Sequence, residues 1–582
     1  MCFTLYASKD MNTGESLTEM LLAAKANAIP LAWVGTPVCD YKGLLPHELS
    51  LKMWPKGPAN PVAAPIICPY DTLSLTVEFA SSPLPIAFLP SPDALSNANP
   101  IPPPLSNQKM ELIENILSTD PLYVLTDDEK SLLWEQRHLA ASYPHGLSKF
   151  LLSAPWNLPN TLHEVRQLLE TAADHITPLG ALELLDSNFP STVVREFAVN
   201  RLNALSDSDL VQYMPQLVQV VMYEHYHYSA LVELLMYRSL KNAKLVGHYL
   251  FWHLKAGLHS EQIAPRFLLM LEMYLVGCSE YHRESLHSQL QLVKELTRIA
   301  VMVKTAPSNK KTEVMRTELK KLTLPPKFKL PLYPNLELSA INLDECRWMD
   351  SATFPLRLAF ENADSFGRTV AVIFKVGEDL RQDMLTLQII KIMDHLWKEE
   401  GLDLHLTSYG CIATGKGIGF IGVVSDSKTT ADIQKADGGV KGAFKKTSLA
   451  NWLQQHNTNP EQFNQAVENF TFSCAAYSVV TYTLGIADRH NDNVMLSTDG
   501  HLFHIDFGFF LGNYLKFGAF KRETAPFTLT PEMAFVMGGE KGANFQKYVE
   551  YCCSAYNIVR KYSNMFLTLF AMMVGAGMQQ LQ

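Results

Sequence analysis

Two short segments of the sequence contain the residue types that phosphoryl transfer needs. In the first, TVAVIFKVGEDLRQDMLTLQ, Lys375 ends a β-branched run and Asp383 follows near the start of a helix with apolar periodicity. This spacing allows an ion pair that would direct the lysine charge at nucleotide phosphates. Taken alone, the segment is more typical of a surface lysine at a strand end.

The second segment, LGIADRHNDNVMLSTDGHLFHIDFG, places Asp488, Arg489, His490 and Asn493 on one loop, and Asp506 opens a D-F-G triplet after two strand-like runs. Because Mg²⁺ takes oxygen ligands, Asn493 and Asp506 are the candidate metal ligands. His490 or Asp488 could orient the nucleophile or accept its proton. The D-R-H-x-x-N order at this distance from D-F-G predicts a kinase, but differs from the H-R-D-x-x-x-x-N of ordinary protein kinases.

These residues lie in the last of three predicted domains, because a chain of 582 residues is too long for one hydrophobic core. Short β-like runs predict a β-sandwich, amphipathic helices without a strict repeat predict an all-α HEAT-like stack, and strands followed by helices predict an α+β bilobal kinase. The expected boundaries are 1–105 for the sandwich and its Pro-rich linker, 106–304 for the helical domain, 305–325 for a connector, and 326–582 for the kinase, with its N-lobe ending at about 424.

Composition narrows the remaining functions. A net charge of −9 disfavours general attraction to nucleic acid or anionic lipid, so membrane affinity must come from local basic patches or a partner. Nine cysteines without a C-x-x-C pair argue against a zinc ribbon or a disulfide framework. The N-terminus lacks a secretory pattern and no apolar run reaches transmembrane length, so a cytoplasmic protein is expected.

Over essentially its whole length, the sequence resembles the phosphoinositide 3-kinases. VIFKVGEDLRQDMLTLQ, GIADRHNDNVML, FHIDFG and FKRETAPFTLT resemble the lysine strand, catalytic loop, metal motif and activation loop of that family. LLWEQRHLAASYP and GHYLFWHLK resemble its helical (PIK) domain, and PLAWVGTPVCDYKGLL and LSLKMWP resemble its C2 domain. GHLFHIDFG and APFTLTPEMAFVMGGEK are most similar to class II members.

This resemblance implies ATP and Mg²⁺ as cofactors and assigns further residues to their binding. It gives the catalytic-loop and metal roles to the residues named above, together with Gly508. The implied nucleotide-binding residues are Lys375, Asp383 and Tyr409 near the phosphates, Ser351 in a phosphate loop that is not glycine-rich, Gly422, Val423 and Val424 in the hinge, and Met495 and Ile505 on the floor of the pocket.

The predicted activation loop indicates which lipid is phosphorylated. It keeps Lys516, Lys521 and Arg522, but Glu523 stands where a second basic position is expected, and Phe509 replaces the histidine that follows D-F-G in class I. Each additional ring phosphate adds roughly −1.5 to −2 charges. Three basic residues offset by one glutamate therefore suit few phosphates, and we expect phosphatidylinositol or its 4-phosphate as substrate rather than the 4,5-bisphosphate.

Two alternatives remain at the level of sequence. The family continues into further kinase helices where this chain stops at Gln582, so a truncated C-lobe is expected and a weak or silent scaffold is the main rival. A relative of the Ser/Thr-phosphorylating family members is disfavoured by Lys521-Arg522. The implied partners are phosphoinositide lipids at plasma or endosomal membranes. A regulatory protein could bind the helical or C2 region, and no nucleic-acid partner is expected.

Overall fold

The computed structural model describes residues 1–7, 29–39, 44–55, 68, 72–86, 107–143, 146–156, 161–439, 445–513, 516–517, 520–521, 525–578 and 581. The chain forms two compact units. The first comprises residues 1–278 with 567–573, and the second comprises residues 279–566 with 574–582. Within the described residues, no helix combines the length and the apolar character needed to cross a bilayer.

The first unit begins with short antiparallel strands, as the sequence predicts. These are β1 (Cys2–Ala7), β2 (Ile29–Gly35), β3 (Glu48–Lys52), β4 (Trp54–Pro55) and β5 (Ser74–Glu78). One sheet has the order β1-β2-β4 and the other pairs β3 with β5. Side chains alternate across each strand, so both sheets can contribute to one core. That core contains Ala32, Val34 and Met53, with Phe3, Leu51 and Leu75 packed against it.

The rest of the first unit is helical, which confirms the prediction that an all-α region follows the strands. Several helices begin at hydroxyl caps, including a capping box in which Thr126 and Glu129 exchange hydrogen bonds. The helices are α1 (Asn107–Ser118), α2 (Asp127–Glu135), α3 (Arg137–Ser142), α4 (Leu147–Ser153), α5 (Thr161–Ala172), α6 (Thr192–Leu202), α7 (Asp207–Gln212), α8 (Met214–Val220), α9 (Ala230–Lys241), α10 (His248–Gly257) and α11 (Ala264–Gly277).

A buried charged cluster joins the middle helices of this unit. Arg195 of α6 donates from Nε to Oε1 of Glu224 at 2.7 Å, and its other nitrogens donate to backbone carbonyls. Arg266 of α11 donates to the carbonyls of Val221 and Glu224. Burial lowers the pKa of Arg266 to about 10, the charge of Glu224 counteracts this shift and the charge of Arg195 adds to it. One carboxylate therefore balances two guanidinium groups.

The second unit opens with two helices and an antiparallel sheet. The first unit's main segment ends at Cys278, so α12 groups with the elements that follow it. The sheet has the order β11-β12-β10-β9-β7-β6, and β8 pairs with β9. The elements are α12 (Glu280–Thr305), α13 (Lys311–Lys320), β6 (Phe328–Leu330), β7 (Tyr333–Ile341), β8 (Arg347–Trp348), β9 (Leu356–Asn362), β10 (Val370–Val376), α14 (Arg381–Glu399), β11 (Cys411–Gly415) and β12 (Ile418–Gly422).

Mostly helical elements follow, and the α+β order of the kinase prediction is confirmed. The central helix α17 is mostly buried from Ala466 to Thr481 and is capped by Gly485, whose φ of 55° is the left-handed conformation that favours glycine at a helix end. The elements are β13 (Ser427–Thr429), α15 (Thr430–Gly438), α16 (Ser448–His456), α17 (Pro460–Leu484), β14 (Val494–Ser497), β15 (Leu502–His504), β16 (Lys516–Phe517), β17 (Phe520–Lys521), α18 (Pro531–Val536), α19 (Ala543–Lys561) and α20 (Ser563–Met573).

The charged cluster of the first unit yields a stability prediction. We expect Glu224→Gln to lower the free energy of unfolding by about 3–5 kcal/mol, because removing one partner of a buried pair leaves uncompensated buried charge. Urea unfolding followed by circular dichroism measures this. Asp127→Asn, which alters a fully exposed partner of Lys130, should leave the midpoint nearly unchanged. A Glu224→Gln midpoint equal to that of Asp127→Asn would contradict the prediction.

Candidate active site

The lysine of the predicted phosphate site lies on β10, and its ion-pair partner is a residue that the sequence analysis did not single out. Phe374 points into the core, so Lys375 points to the opposite side of the sheet. Its Nζ lies 2.7 Å from Oε2 of Glu378, rather than pairing with Asp383 as predicted. Burial alone would lower the pKa of Lys375, but the bond to Glu378 and the charges of Glu378, Asp383 and Asp506 raise it.

Glu378 also holds the predicted phosphate loop. Its Oε1 accepts a hydrogen bond of 2.6 Å from Oγ1 of Thr353, in the loop that joins β8 to β9. The chain returns toward Lys375 at Gly377, where φ is 104°, a value that side chains rarely adopt. Ser351, the predicted loop residue, is exposed and its N–H donates to Met349. The loop and the lysine are therefore tied to the same carboxylate.

The start of α14 holds the backbone of the D-F-G triplet. Gln382 donates from Nε2 to the carbonyl of Phe507 at 2.6 Å, and the N–H of Phe507 donates to Oδ1 of Asp383 at 3.2 Å. Burial raises the pKa of Asp383 to about 6, and the charges of Asp506 and Glu378 reinforce this against the opposing charge of Lys375. Asp383 thus has a structural bond to D-F-G as well as a charge in the cleft.

Arg489 fixes the catalytic loop to the D-F-G strand. Its guanidinium donates to the carbonyls of Ala487 at 2.9 Å, Ile505 at 2.7 Å and Asp506, and only 7% of the residue is exposed. It also lies 5.7 Å from the ring centroid of Phe507. A guanidinium used in this way positions the loop, so the structure gives Arg489 a supporting part rather than the catalytic one that was predicted.

Two aspartates of the site have unusual backbone conformations. The φ values of Asp488 and Asp506 are 61° and 60°, in the left-handed region that non-glycine residues seldom occupy. Such conformations cost about 1–3 kcal/mol each and persist where surrounding bonds enforce them. Here the bonds from Arg489 and Asn493 to the same two backbone segments supply that enforcement.

Asn493 and Asp506 fit a divalent cation by their donor chemistry. Asn493 donates from Nδ2 to the carbonyl of Asp488 at 2.9 Å, which leaves its Oδ1 for a cation. The Asp506 side chain is exposed in the cleft and adds carboxylate oxygens. In the described part of the chain no three His, Cys, Asp or Glu side chains form a metal cluster. Two oxygen ligands whose shell is completed by phosphates and water match Mg²⁺.

His490 has a defined hydrogen-bonding arrangement. The N–H of Asp492 donates to its Nδ1 at 3.2 Å, and its Nε2 lies 3.8 Å from Oδ2 of Asp488. A neutral imidazole whose Nδ1 accepts carries its hydrogen on Nε2. Asp488 and His490 lie side by side on the catalytic loop, as their sequence positions predict.

The predicted hinge uses most of its backbone groups within the fold. Gly422 donates to Gly410 and Val423 donates to Ala371, whereas the N–H of Val424 meets no partner in the described residues. A Cβ at Gly422 would lie 2.4 Å from the hydroxyl of Tyr333, so a side chain there requires the end of Tyr333 to move.

The remaining predicted residues occupy the floor and the activation loop. Met495 lies on β14 and Ile505 directly follows β15, both partly buried. Tyr409 is buried near Phe503, and burial followed by the charge of Tyr477 and of Asp383 raises its pKa far above the ordinary value. Gly508 follows D-F and its N–H donates to Asp506 at 3.4 Å.

Two activation-loop lysines face each other across a hairpin. β16 and β17 are antiparallel, and their register puts Lys516 opposite Lys521. Arg522 lies outside the described residues.

Sequence comparisons agree with this arrangement. Residues 369–582 match the family described as phosphatidylinositol 3- and 4-kinase, and residues 102–287 match the accessory (PIK) domain of the phosphoinositide 3-kinase family. The chain carries a catalytic domain of the phosphatidylinositol 3- and 4-kinase family and a PIK domain of the phosphoinositide 3-kinase family. Both the kinase and the helical assignments of the sequence analysis are thereby confirmed.

Relatives in this phosphoinositide 3-kinase family align along nearly all of the chain. Phosphatidylinositol 3-kinase 1 of Dictyostelium discoideum is 43% identical over 561 residues, which cover 95% of this chain and 36% of that protein. Phosphatidylinositol 4-phosphate 3-kinase C2 domain-containing subunit beta of Homo sapiens is 39% identical over 594 residues, which cover 100% of this chain and 36% of that protein. The chain spans about a third of the length of these curated relatives.

The raised pKa of Asp383 gives a pH-dependent prediction. Because the folded protein holds this proton up to about pH 6, against an ordinary pKa of 3.8, the stabilising contribution is complete below pH 3.8 and is lost as the pH rises through 6. We expect Asp383→Asn to remove that loss and to raise the unfolding free energy at pH 7.5 by roughly 1–3 kcal/mol. Denaturant titrations at pH 4.5 and 7.5 test this.

Asp403→Asn supplies the comparison, since Asp403 is an aspartate of the same unit whose side chain is 57% exposed. It should keep the wild-type dependence on pH. A pH dependence of Asp383→Asn equal to that of the wild type would show that Asp383 does not hold the proton.

Proposed function

We propose that this chain is an ATP-dependent phosphatidylinositol 3-kinase that transfers the γ-phosphate to the 3-hydroxyl of phosphatidylinositol or its 4-phosphate. The observation that carries the proposal is the convergence of one ammonium and two cation-binding oxygens on one cleft. The charge of Asp506 acts on Lys375, and Asn493 is bonded to the loop that carries Asp488. The relatives named as phosphatidylinositol 3-kinases support the same reaction.

ATP and Mg²⁺ are the cofactors of this proposal. Asn493 Oδ1 and the Asp506 carboxylate would hold the metal, and bound Mg²⁺–ATP supplies the phosphoryl group and offsets its charge. Lys375 leaves Glu378 or shares its charge in order to contact the phosphates, while Thr353 keeps the phosphate loop beside it. The N–H of Val424, for which the described part of the chain supplies no partner, is the proposed hinge donor for adenine.

Proton transfer follows from the arrangement of the catalytic loop. In the proposal Asp488 accepts the proton of the attacking 3-hydroxyl at its side-chain oxygen, with His490 Nε2 3.8 Å from Oδ2 of this carboxylate. The Nε2–H of His490 then donates a hydrogen bond that orients this carboxylate or the incoming phosphoryl oxygens. Arg489 keeps the loop in place through backbone carbonyls.

The lipid-binding part of the proposal rests on the activation-loop hairpin. Lys516 and Lys521 occupy paired positions of the antiparallel β16–β17 hairpin, and each contributes a positive charge to the proposed lipid-binding loop. The proposal includes a C2-type fold for residues 1–105, class II character, peripheral association with plasma or endosomal membranes, and a regulatory partner on the helical or C2 region. Support for these comes from the paired β-sheets near the N-terminus and from the C2 domain-containing human relative.

Asp506→Asn tests the metal assignment. We expect a loss of turnover of about 100- to 1,000-fold, because one cation-binding carboxylate becomes a neutral amide. Radiolabelled ATP with phosphatidylinositol vesicles measures the rate, and thermal stabilisation by nucleotide reports binding. Asp344→Asn, an exposed N-lobe aspartate, is the matched control and should keep wild-type turnover.

Full activity of Asp506→Asn with normal nucleotide binding would overturn the metal assignment. Nucleotide binding by the wild type without phosphorylation of any lipid would instead favour the scaffold alternative.

The hairpin lysines give a prediction on substrate choice. We expect phosphatidylinositol and its 4-phosphate to be better substrates than the 4,5-bisphosphate. A basic residue near an anionic surface is worth about 1 kcal/mol, so Lys521→Ala should lower kcat/KM for the 4-phosphate about fivefold and affect phosphatidylinositol less. Lys547→Ala, an exposed lysine on α19, is the control. A clear preference for the 4,5-bisphosphate would refute the substrate assignment.

A further inference from the structure

A chain of buried side chains links the catalytic loop to the end of the activation loop. Asn491 of the catalytic loop donates from Nδ2 to Oε1 of Gln434 on α15 at 2.9 Å. Gln434 in turn donates from Nε2 to Oε2 of Glu532 on α18 at 2.7 Å. Gln434 and Glu532 are 6% and 7% exposed, so the bond between them is shielded from bulk water, and the bond from Asn491 is partly shielded.

The helix α15 holds Asn491 by its backbone as well. Thr430 and Gln434 are one helical turn apart and so project from the same face of α15. Thr430 donates from Oγ1 to the carbonyl of Asn491 at 2.9 Å, and the N–H of Ala431 donates to the same carbonyl at 3.0 Å. Both the amide side chain and the main chain of Asn491 are therefore fixed to one helix.

The environment of Glu532 makes a carboxylate costly for stability, because the side chain is buried and only partly hydrogen-bonded. It lies in the first turn of α18, directly after the described residues 525–530 that end the activation loop. Burial raises its pKa, the bond from Gln434 opposes this and the nearby charge of Asp437 adds to it. Its buried Oε1 has no hydrogen-bond partner within the described residues. A buried polar group with this cost points to a role other than packing.

We propose that Gln434 and Glu532 are positioning residues that keep the catalytic loop in register with the end of the activation loop. The consequence for the reaction rests on the proposed function. The lipid bound by the activation loop must bring its hydroxyl to Asp488, which lies three residues before Asn491 on the same loop. An error of about 1 Å in such a register can reduce a rate about 100-fold.

The two hydrogen bonds permit an exchange of side chains that separates positioning from general stability. Gln434→Glu puts two carboxylates against each other and breaks the bond to Glu532. The double variant Gln434→Glu with Glu532→Gln restores it, because the new amide donates to the new carboxylate and Asn491 still donates to position 434. Gln434→Met removes both bonds without adding charge. It replaces Gln434→Glu in the measurements if that variant does not fold.

The experiment uses the full chain with phosphatidylinositol vesicles and Mg²⁺–ATP. We expect Gln434→Glu, or Gln434→Met, to lower kcat about 100-fold with less than about a twofold change in KM for ATP, and the double variant to recover to within about threefold of wild type. Amide hydrogen exchange of residues 488–493 should quicken in the single variants and return to the wild-type rate in the double variant.

Gln289→Glu is the matched control, because it makes the same chemical change at a buried glutamine of α12 in the same unit. It should lower thermal stability but leave exchange at residues 488–493 unchanged. Wild-type kcat and exchange in both Gln434 variants, or a folded double variant that fails to recover either, would overturn the proposal. If the wild type phosphorylates no lipid, the proposed function fails, and the exchange measurements still decide the positioning role.

Discussion

The active cleft is organised around a single ammonium group that faces three carboxylates. Lys375 is bonded to Glu378, and the charges of Asp383 and Asp506 act on it as well. One positive charge does not neutralise three negative ones, so the cleft attracts a divalent cation and repels a bare triphosphate. The neighbouring elements position these carboxylates. The turn at Gly377 brings Glu378 close to Lys375, and α14 carries Asp383. In the proposed function, this charge balance requires the nucleotide and its metal to bind together.

Backbone carbonyls, rather than side-chain pairs, determine the geometry of the catalytic residues. Arg489 donates to the carbonyl of Ile505, just before D-F-G, and Gln382 donates to the carbonyl of Phe507 within it. Helix α15 holds the catalytic loop by a hydrogen bond to the carbonyl of Asn491. Each bond constrains a segment that includes an aspartate in the left-handed region, at Asp488 or Asp506. The strain is maintained because several buried donors act on one short length of chain. Catalytic precision in this fold therefore depends on residues that would not contact the substrate.

The sequence is sufficient to predict the fold class and the chemistry-bearing motifs, because strand and helix periodicities flank them. Lys375 ends a strand and Leu387 lies on the inner face of α14, as their spacing indicates. The spacing allowed Asp383 as a partner of Lys375 and did not single out Glu378, because periodicity does not show that a glycine turn folds Glu378 back. The sequence K-V-G-E, with an acidic residue three positions after Lys375, was the signal that could have indicated Glu378 as the partner. Contacts to backbone carbonyls, such as those of Arg489, have no sequence pattern and emerge only from the fold.

Glycine at the hinge has a consequence for inhibitor resistance. The space that a side chain at Gly422 would need is already filled by the hydroxyl of Tyr333 on β7. A larger side chain at position 422 would thus have to displace the Tyr333 hydroxyl. In the proposed function, a substitution that enlarges this position to exclude an adenine-mimicking compound would therefore also disturb the packing against β7.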